Sequence, residues 1–303
     1  MNCSIIIPTY NRLEYLKKCI KSLLKLDYEN YEIIIIDDAS TDGTWKYLNA
    51  LENNKIKIFR NNENLGPSIT RNNGVKIAKY DIIVFTDDDC LVDRMWLKNL
   101  VNRFFRNTKG AREKQEISFV FGQTYYIRKG YKGYFPERLV NIIGWPGGGN
   151  IAFRKDIFEK IGGFDDFYYY YNNEDSEIAI RAMANSFCCR EALDAVVYHQ
   201  AMNWTVKSLF NSAKNASVWP VLKKKYPYYY RFFHPSVRCG MFINIEDYFY
   251  ILILPMLIPL LFIRYLYHGK RDIKIFFAKW PIYLFLRRYY IYKEAIKNRV
   301  FML

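Results

Sequence analysis

Three consecutive aspartates, Asp87-Asp88-Asp89, follow the apolar run Ile82-Ile83-Val84-Phe85. That run is short, β-branched and aromatic, and reads as a buried parallel strand. Three carboxylates at one strand tip repel one another. A hard divalent cation removes the repulsion: Mg2+ and Mn2+ take oxygen ligands and share them with substrate phosphates. A solvated acidic turn is the competing reading of the same residues.

Further along lies a second set of candidates. Trp145-Pro146-Gly147-Gly148-Gly149-Asn150 is a glycine-rich turn running into Ile151-Ala152-Phe153. Glycines let backbone approach a ligand closely; a simple bend before a strand would use them too. Glu174 and Asp175 open a helical segment, where acidic side chains suit the helix dipole. Beside a glycine-walled pocket, such a carboxylate is also placed to act as a general base. His199 ends the short apolar strand Ala195-Val196-Val197-Tyr198. A lone histidine is commonly structural, and at a strand end it is also a metal-ligand candidate.

The elements that must position these groups are legible. Ser4-Ile5-Ile6-Ile7 ends at Pro8-Thr9, Glu32 to Ile36 ends at Asp37-Asp38, and Lys55 to Phe59 ends at Arg60-Asn61. Leu13, Leu16, Ile20, Leu23 and Leu24 have helical spacing. Asp42-Gly43-Thr44 and Pro67-Ser68 open two further helices. Strands alternating with helices predict an α/β fold with an open, mostly parallel sheet flanked by helices. Ligands of such sheets bind outside the carboxyl ends of the strands, so Thr9, Asp38 and Asp87 to Asp89 are expected to share one crevice.

Charge divides the chain. Residues 207–303 hold 17 Lys and Arg against 4 Asp and Glu, so +13 of the formal +15 lies there. The apolar stretches Tyr248 to Ile263 and Ile275 to Leu286 interleave with this charge. Tyr248 to Ile263 is shorter than the roughly 20 residues of a spanning helix and contains Pro255 and Pro259. The expectation is a bent helical tail lying on an anionic membrane surface, with a buried helical subdomain as the bland alternative. Residues 1–205 would be the catalytic domain and 206–303 the tail. The start of the chain runs directly into a strand, which predicts no secretory signal. The six cysteines show no CxxC pair, which predicts free thiols in a reducing compartment and argues against a zinc site.

Several pieces together resemble glycosyltransferase family 2, nucleotide-sugar transferases of the GT-A fold. They are Ile5 to Arg12 (IIIPTYNR), Ile33 to Thr44 (IIIIDDASTDGT), Asn64 to Gly74, Thr86 to Cys90 (TDDDC), Gly147 to Asp166 and Asn172 to Arg181. The chain departs from the commonest pattern at Cys90, where many members have an acidic residue, and at Val92-Asp93, where a proline is frequent. The resemblance implies that Pro8, Thr9 and Asp38 hold the nucleoside and that Arg71 touches the donor side. It implies that Asp87 and Asp88 lie beside the ribose and metal waters, and that Asp89 ligates Mn2+ or Mg2+; His199 is the second metal-ligand candidate by its place at a strand end. Asp175 would be the base of an inverting transfer, with Glu174 as its competitor. Trp145, Gly148, Gly149 and Asn150 would face the acceptor with Glu174. Docking of the tail on the cytoplasmic leaflet would place the crevice beside a glycan or lipid-linked glycan acceptor, and no nucleic-acid partner is expected.

Three other classes compete. A sugar-phosphate nucleotidyltransferase needs a glycine-rich basic loop after the first strand, where this chain has Pro8-Thr9-Tyr10-Asn11-Arg12. A dinucleotide-dependent oxidoreductase needs GxGxxG at the same turn. A non-enzymatic membrane or RNA-binding protein would explain the tail but give Asp38, Asp89 and Asp175 no purpose.

Overall fold

The computed structural model describes residues 1–105, 116–127, 146–171, 173–200, 206–229, 237–238, 242–243, 259, 262–263 and 280–302. They fall into two compact units. The first is an α/β unit built on one eight-stranded sheet.

Four strands form its parallel half: β1 (Cys3–Thr9), β2 (Tyr31–Asp37), β3 (Ile56–Arg60) and β4 (Ile82–Phe85). Side chains alternate between the two faces of a strand. Ile5, Ile7, Ile33 and Ile35 therefore enter one core with Leu16, Ile20 and Leu23 of helix α1 (Leu13–Leu23). Ile6, Ile34 and Ile36 enter the other. Both faces of β1, β2 and β4 are covered, which is why they read as near-continuous β-branched runs, whereas the edge strand β3 mixes Lys57 and Arg60 with its apolar residues. Helix α2 (Thr44–Asn49) follows β2, and α3 (Pro67–Ile77) follows β3. Gly74 lets α3 press against the sheet: a Cβ there would lie 2.5 Å from Ile6 Cγ2 and 2.9 Å from Ile36 Cδ1.

The other half of the sheet mixes directions. After β4 come β5 (Cys90–Val92), helix α4 (Trp96–Phe105), β6 (Ile117–Ile127), β7 (Ile151–Arg154), α5 (Lys155–Lys160), α6 (Glu174–Ala184) and β8 (Cys188–Gln200). The strand order is β3-β2-β1-β4-β7-β6-β8-β5. Strand β7 is antiparallel to both β4 and β6, and β5 is antiparallel to β8. The sequence pattern foretold the parallel half. The turn-backs at β7 and β5 come from pairings between strands far apart in the chain, which local periodicity does not encode.

The second unit contains α7 (Val206–Asn215), α8 (Val218–Lys225), the two-residue strands β9 (Val237–Arg238) and β10 (Phe242–Ile243), and α9 (Trp280–Asn298). Helix α9 buries Tyr283 and Leu284 against Ala213 and Phe210 of α7. Its opposite side leaves Ile282, Phe285, Tyr289 and Ile296 exposed. No helix among the described residues is long and apolar enough to cross a membrane. Most of Tyr248 to Ile263 and residues 275–279 of the second stretch lie outside the described residues, as does Arg264.

Candidate active site

The site is built where β4 ends. Asp87, Asp88 and Asp89 lie between β4 and β5, and their carboxylates are held by Arg71, Thr9, Arg12 and His199. Asp87 Oδ1 accepts from Arg71 Nη2 at 2.6 Å. Asp88 Oδ2 accepts from Thr9 Oγ1 at 2.8 Å, which ties the cluster to the tip of β1. Arg12 Nη1 bridges Asp88 Oδ1 at 3.1 Å and Asp89 Oδ2 at 2.8 Å. The other oxygen of Asp89, Oδ1, lies 3.3 Å from His199 Nε2.

Pairing of β5 with β8 brings His199 there. Cys90 is directly opposite His199, and Gln200 N–H donates to the Asp89 carbonyl at 2.9 Å. Ligand atoms of Asp87, Asp89, Cys90 and His199 all lie within 4.8 Å of one another. This is a donor group of the right compactness for a divalent ion.

Electrostatics point the same way. Burial, with Asp89 and Asp87 nearby, pushes the Asp88 carboxyl up to about 7 despite the Arg12 contact. Burial likewise raises Asp89, opposed by His199 and reinforced by Asp87. Burial acts against the Asp87 charge too, but contact with Arg71 outweighs it and leaves that carboxyl low. Two arginines do not neutralise the cluster, so the site retains an appetite for positive charge.

The glycine turn closes the other side. Gly149 passes so near Asp87 that a Cβ would sit 2.8 Å from Asp87 Oδ2. At Gly148 a Cβ would lie 3.2 Å from Asp175 Cβ and 3.4 Å from Arg71 Nη2. The turn is thus a thin backbone wall joining the acidic tip to the start of α6. Gly148 N–H donates to Asp175 Oδ2 at 2.9 Å, and Ser176 N–H donates to Asp175 Oδ1 at 2.6 Å. Burial raises the Asp175 carboxyl, partly offset by these two donors.

Glu174 is committed elsewhere. Its Oε1 accepts from Arg71 Nη1 at 3.0 Å in a buried ion pair. Arg71 therefore spans Asp87 and Glu174, with its guanidinium 5.4 Å from the Phe164 ring centroid. Asp175 is only half-buried and keeps a second lone pair on each oxygen.

The remaining expected residues sit as follows. Asp38 is buried next to Thr9, its N–H bonded to the Thr9 carbonyl at 2.8 Å. Its carboxylate accepts from Asn61 Nδ2 at 2.7 Å, Leu65 N–H at 3.0 Å and Gly66 N–H at 2.9 Å, and so holds the turn that leads into α3. Pro8 is half-buried beside it on β1. Asn150 lies behind the turn. Its Oδ1 accepts from Trp96 Nε1 at 2.8 Å, and its Nδ2 donates to the carbonyls of Gln123 and Ala195, each at 3.0 Å. Its amide thus anchors the glycine turn to the core. Trp145 and Asn172 lie outside the described residues. In the tyrosine run, Tyr168 is buried and packs edge-on against Phe167.

Arg12 is the site residue that sequence reasoning missed. Its position just past the tip of β1 was a usable signal, since a basic residue there faces any anion held at the neighbouring tip of β4.

An acidic strand tip and a helix-borne carboxylate joined by a glycine wall, on this half-parallel sheet, define a GT-A glycosyltransferase. The sequence profile of Glycosyl transferase family 2 matches residues 4–162, more than half of the chain, and the chain belongs to that family. A second profile, the N-terminal domain of galactosyltransferase, matches residues 145–196.

Among curated relatives, the chain is 34% identical over 128 residues to UDP-Glc:alpha-D-GlcNAc-diphosphoundecaprenol beta-1,3-glucosyltransferase WfaP of Escherichia coli. That match covers 42% of this chain and 47% of WfaP. It is 40% identical over 89 residues to a GalNAc(5)-diNAcBac-PP-undecaprenol beta-1,3-glucosyltransferase of Campylobacter jejuni, covering 28% of this chain and 29% of that protein. The chain thus matches less than half the length of each of these relatives. Among solved structures, the mannosyltransferase PcManGT from Pyrobaculum calidifontis, in complex with GDP-Man and Mn2+, superimposes with a TM-score of 0.59 at 16% identity. The match covers 98% of this chain and 87% of that one. Staphylococcus aureus TarS 1–349 gives 0.51 at 21% identity, covering 73% and 65%. These likenesses show the fold.

Proposed function

We propose that the chain is a metal-dependent, inverting glycosyltransferase that moves a sugar from a nucleotide-sugar donor to a hydroxyl of a lipid-linked or polymeric glycan. The observation that carries this reading is the Gly147 to Asn150 turn. It holds a half-buried carboxylate, Asp175, across a backbone wall from the Asp87 to Asp89 cluster. A base on one side and an anion-neutralising centre on the other suit a single in-line displacement.

In that displacement Asp175 takes the proton of the acceptor hydroxyl. The hydroxyl oxygen forms the bond to the anomeric carbon from the face opposite the leaving group. The bond from that carbon to the diphosphate oxygen breaks, and its electron pair leaves with the nucleoside diphosphate. Asp89 and His199 would hold the cation, Mn2+ or Mg2+, which when bound neutralises charge on the departing diphosphate. Thr9, Asp38 and Pro8 would bound the nucleoside side of the crevice. Arg71 keeps Asp87 and Glu174 in place, and this ion pair favours Asp175 over Glu174 as the base.

The acceptor class is taken from the undecaprenol-linked substrates named for the relatives. A peripheral position at a membrane agrees with it. Helix α9 exposes Ile282, Phe285, Tyr289 and Ile296 at helical spacing, beside exposed Lys293 and Lys297. An apolar stripe edged by lysines fits the interface of an anionic leaflet. The test is incubation with a panel of UDP- and GDP-sugars and polyprenyl-diphosphate glycans. Proton NMR of the product reports the new anomeric linkage. Inversion at the transferred sugar is expected, and retention would overturn the single-displacement assignment.

A further inference from the structure

One donor at the proposed cation site is of the wrong kind for a magnesium centre. Cys90 Sγ lies 3.8 Å from Asp89 Oδ1, the same oxygen that His199 Nε2 approaches at 3.3 Å. Cys90 and His199 are register partners of the antiparallel β5–β8 pair. Directly opposed residues of such a pair project from the same face, so thiol and imidazole stand side by side. On the far side, the built Cβ of Gly149 would fall 3.3 Å from Cys90 Sγ and 2.8 Å from Asp87 Oδ2. The absence of a side chain at Gly149 is what keeps the space beside the sulfur and Asp87 clear.

We propose that Cys90 is a soft fourth donor of this centre. With Asp89, His199 and Asp87 it forms a mixed oxygen–nitrogen–sulfur set that binds thiophilic divalent ions, Zn2+ and Co2+, in preference to Mg2+. The inference rests on the cation-site reading given above. Ions of this kind sit about 2.0–2.3 Å from nitrogen, oxygen and sulfur donors. A tetrahedron of such bonds holds its donors roughly 3.3–3.8 Å apart, so ligand atoms now within 4.8 Å of one another must close by at most about 1–1.5 Å.

Thiolate and imidazole favour zinc-like ions, whereas Mg2+ demands an octahedral shell of oxygens. On binding, the thiol proton passes to water and the sulfur electron pair forms the metal bond; nothing is oxidised or reduced. Four protein donors close a tetrahedral Zn2+ and leave no position for a diphosphate. An octahedral Mn2+ on the same residues retains open positions. Zn2+ is thereby an inhibitor that competes with Mn2+, and Cys90 is what makes it tight.

The test is anaerobic titration of the full chain with Co2+, followed by near-ultraviolet and visible absorption. The background carries Cys188→Ser and Cys189→Ser to remove the adjacent thiol pair. A thiolate-to-cobalt charge-transfer band that saturates at a single ion is expected. Cys90→Ser should abolish it while the weaker metal-centred bands of an oxygen–nitrogen site persist. Zn2+ affinity, read by competition with Co2+, should fall about tenfold or more in Cys90→Ser, and Mn2+ affinity by less than about threefold.

Absence of the band in the folded parent, or its survival in Cys90→Ser, overturns the proposal. The parent titration alone is decisive if Cys90→Ser does not fold. Release of nucleoside diphosphate from a nucleotide sugar with Mn2+, measured on the same preparation, separates the two readings. Turnover without the band rejects the sulfur donor and leaves the transferase. The band without turnover supports the donor set and counts against the transferase.

Discussion

Two neighbouring carboxylates at the start of α6 divide their roles by environment. Glu174 is locked to Arg71 in a buried pair, while Asp175 takes two backbone N–H bonds and faces the glycine turn. Asp175→Asn should lower turnover by about 10²-fold or more with little change in donor affinity, the usual signature of a lost general base. Glu174→Gln should instead weaken donor binding through Arg71 and Asp87. Separate kcat and KM values for both variants check this. The raised Asp175 carboxyl also sets a pH dependence. The base works only when ionised, so kcat/KM should fall on the acid side with a midpoint above that of an ordinary aspartate. An acid limb near the usual aspartate value, or none, would count against the assignment. Asp88 adds a second pH effect. Its folded carboxyl at about 7 exceeds the unfolded value, so its ionisation costs stability as pH rises through that window. A cation relieves this cost and competes with the proton. Mn2+ should therefore raise Tm more at pH 7.5 than at pH 5.5, as differential scanning fluorimetry would show.

At the scale of elements, the site depends on close approaches that glycine alone permits. Gly149→Ala places a methyl against Asp87 Oδ2 and should lower Mn2+-dependent turnover with only a small change in stability. Gly74→Ala is its structural counterpart. The helix gains about 1 kcal/mol of propensity, but the clash with Ile6 should outweigh it and cost about 1–3 kcal/mol net in urea unfolding. The parallel half of the sheet, with Thr9, Asp38 and the three aspartates at its tips, was legible because strands covered on both faces write themselves as continuous β-branched runs. The junction of β5 with β8 was not, because register between distant strands leaves no local mark. His199 was noticed in the sequence for its place at a strand end, yet only that register puts it and Cys90 on the same oxygen of Asp89. Asn150 sits in a turn that reads as ligand-facing, but its amide is used by Trp96, Gln123 and Ala195, a tertiary arrangement no motif displays. Arg12 was marked only by its place just past the tip of β1; its two acceptors stand at the tip of another strand, which no local pattern names.

For the whole molecule, the charge asymmetry of the sequence and the exposed stripe of α9 bear on where the enzyme works. Ile282→Glu together with Phe285→Glu changes exposed positions, so folding should survive while flotation with anionic liposomes at low salt falls several-fold. Undiminished flotation would move the contact to another part of the tail. The central claim concerns chemistry, and release of nucleoside diphosphate from a panel of nucleotide sugars tests it most directly. The wild-type chain with Mn2+ should turn over at least one donor, and a chelator should stop it. Asp89→Asn should abolish release while its unfolding curve stays that of a folded protein. Release by Asp89→Asn equal to wild type, or no binding and no turnover of any donor by the wild-type chain, would contradict the account.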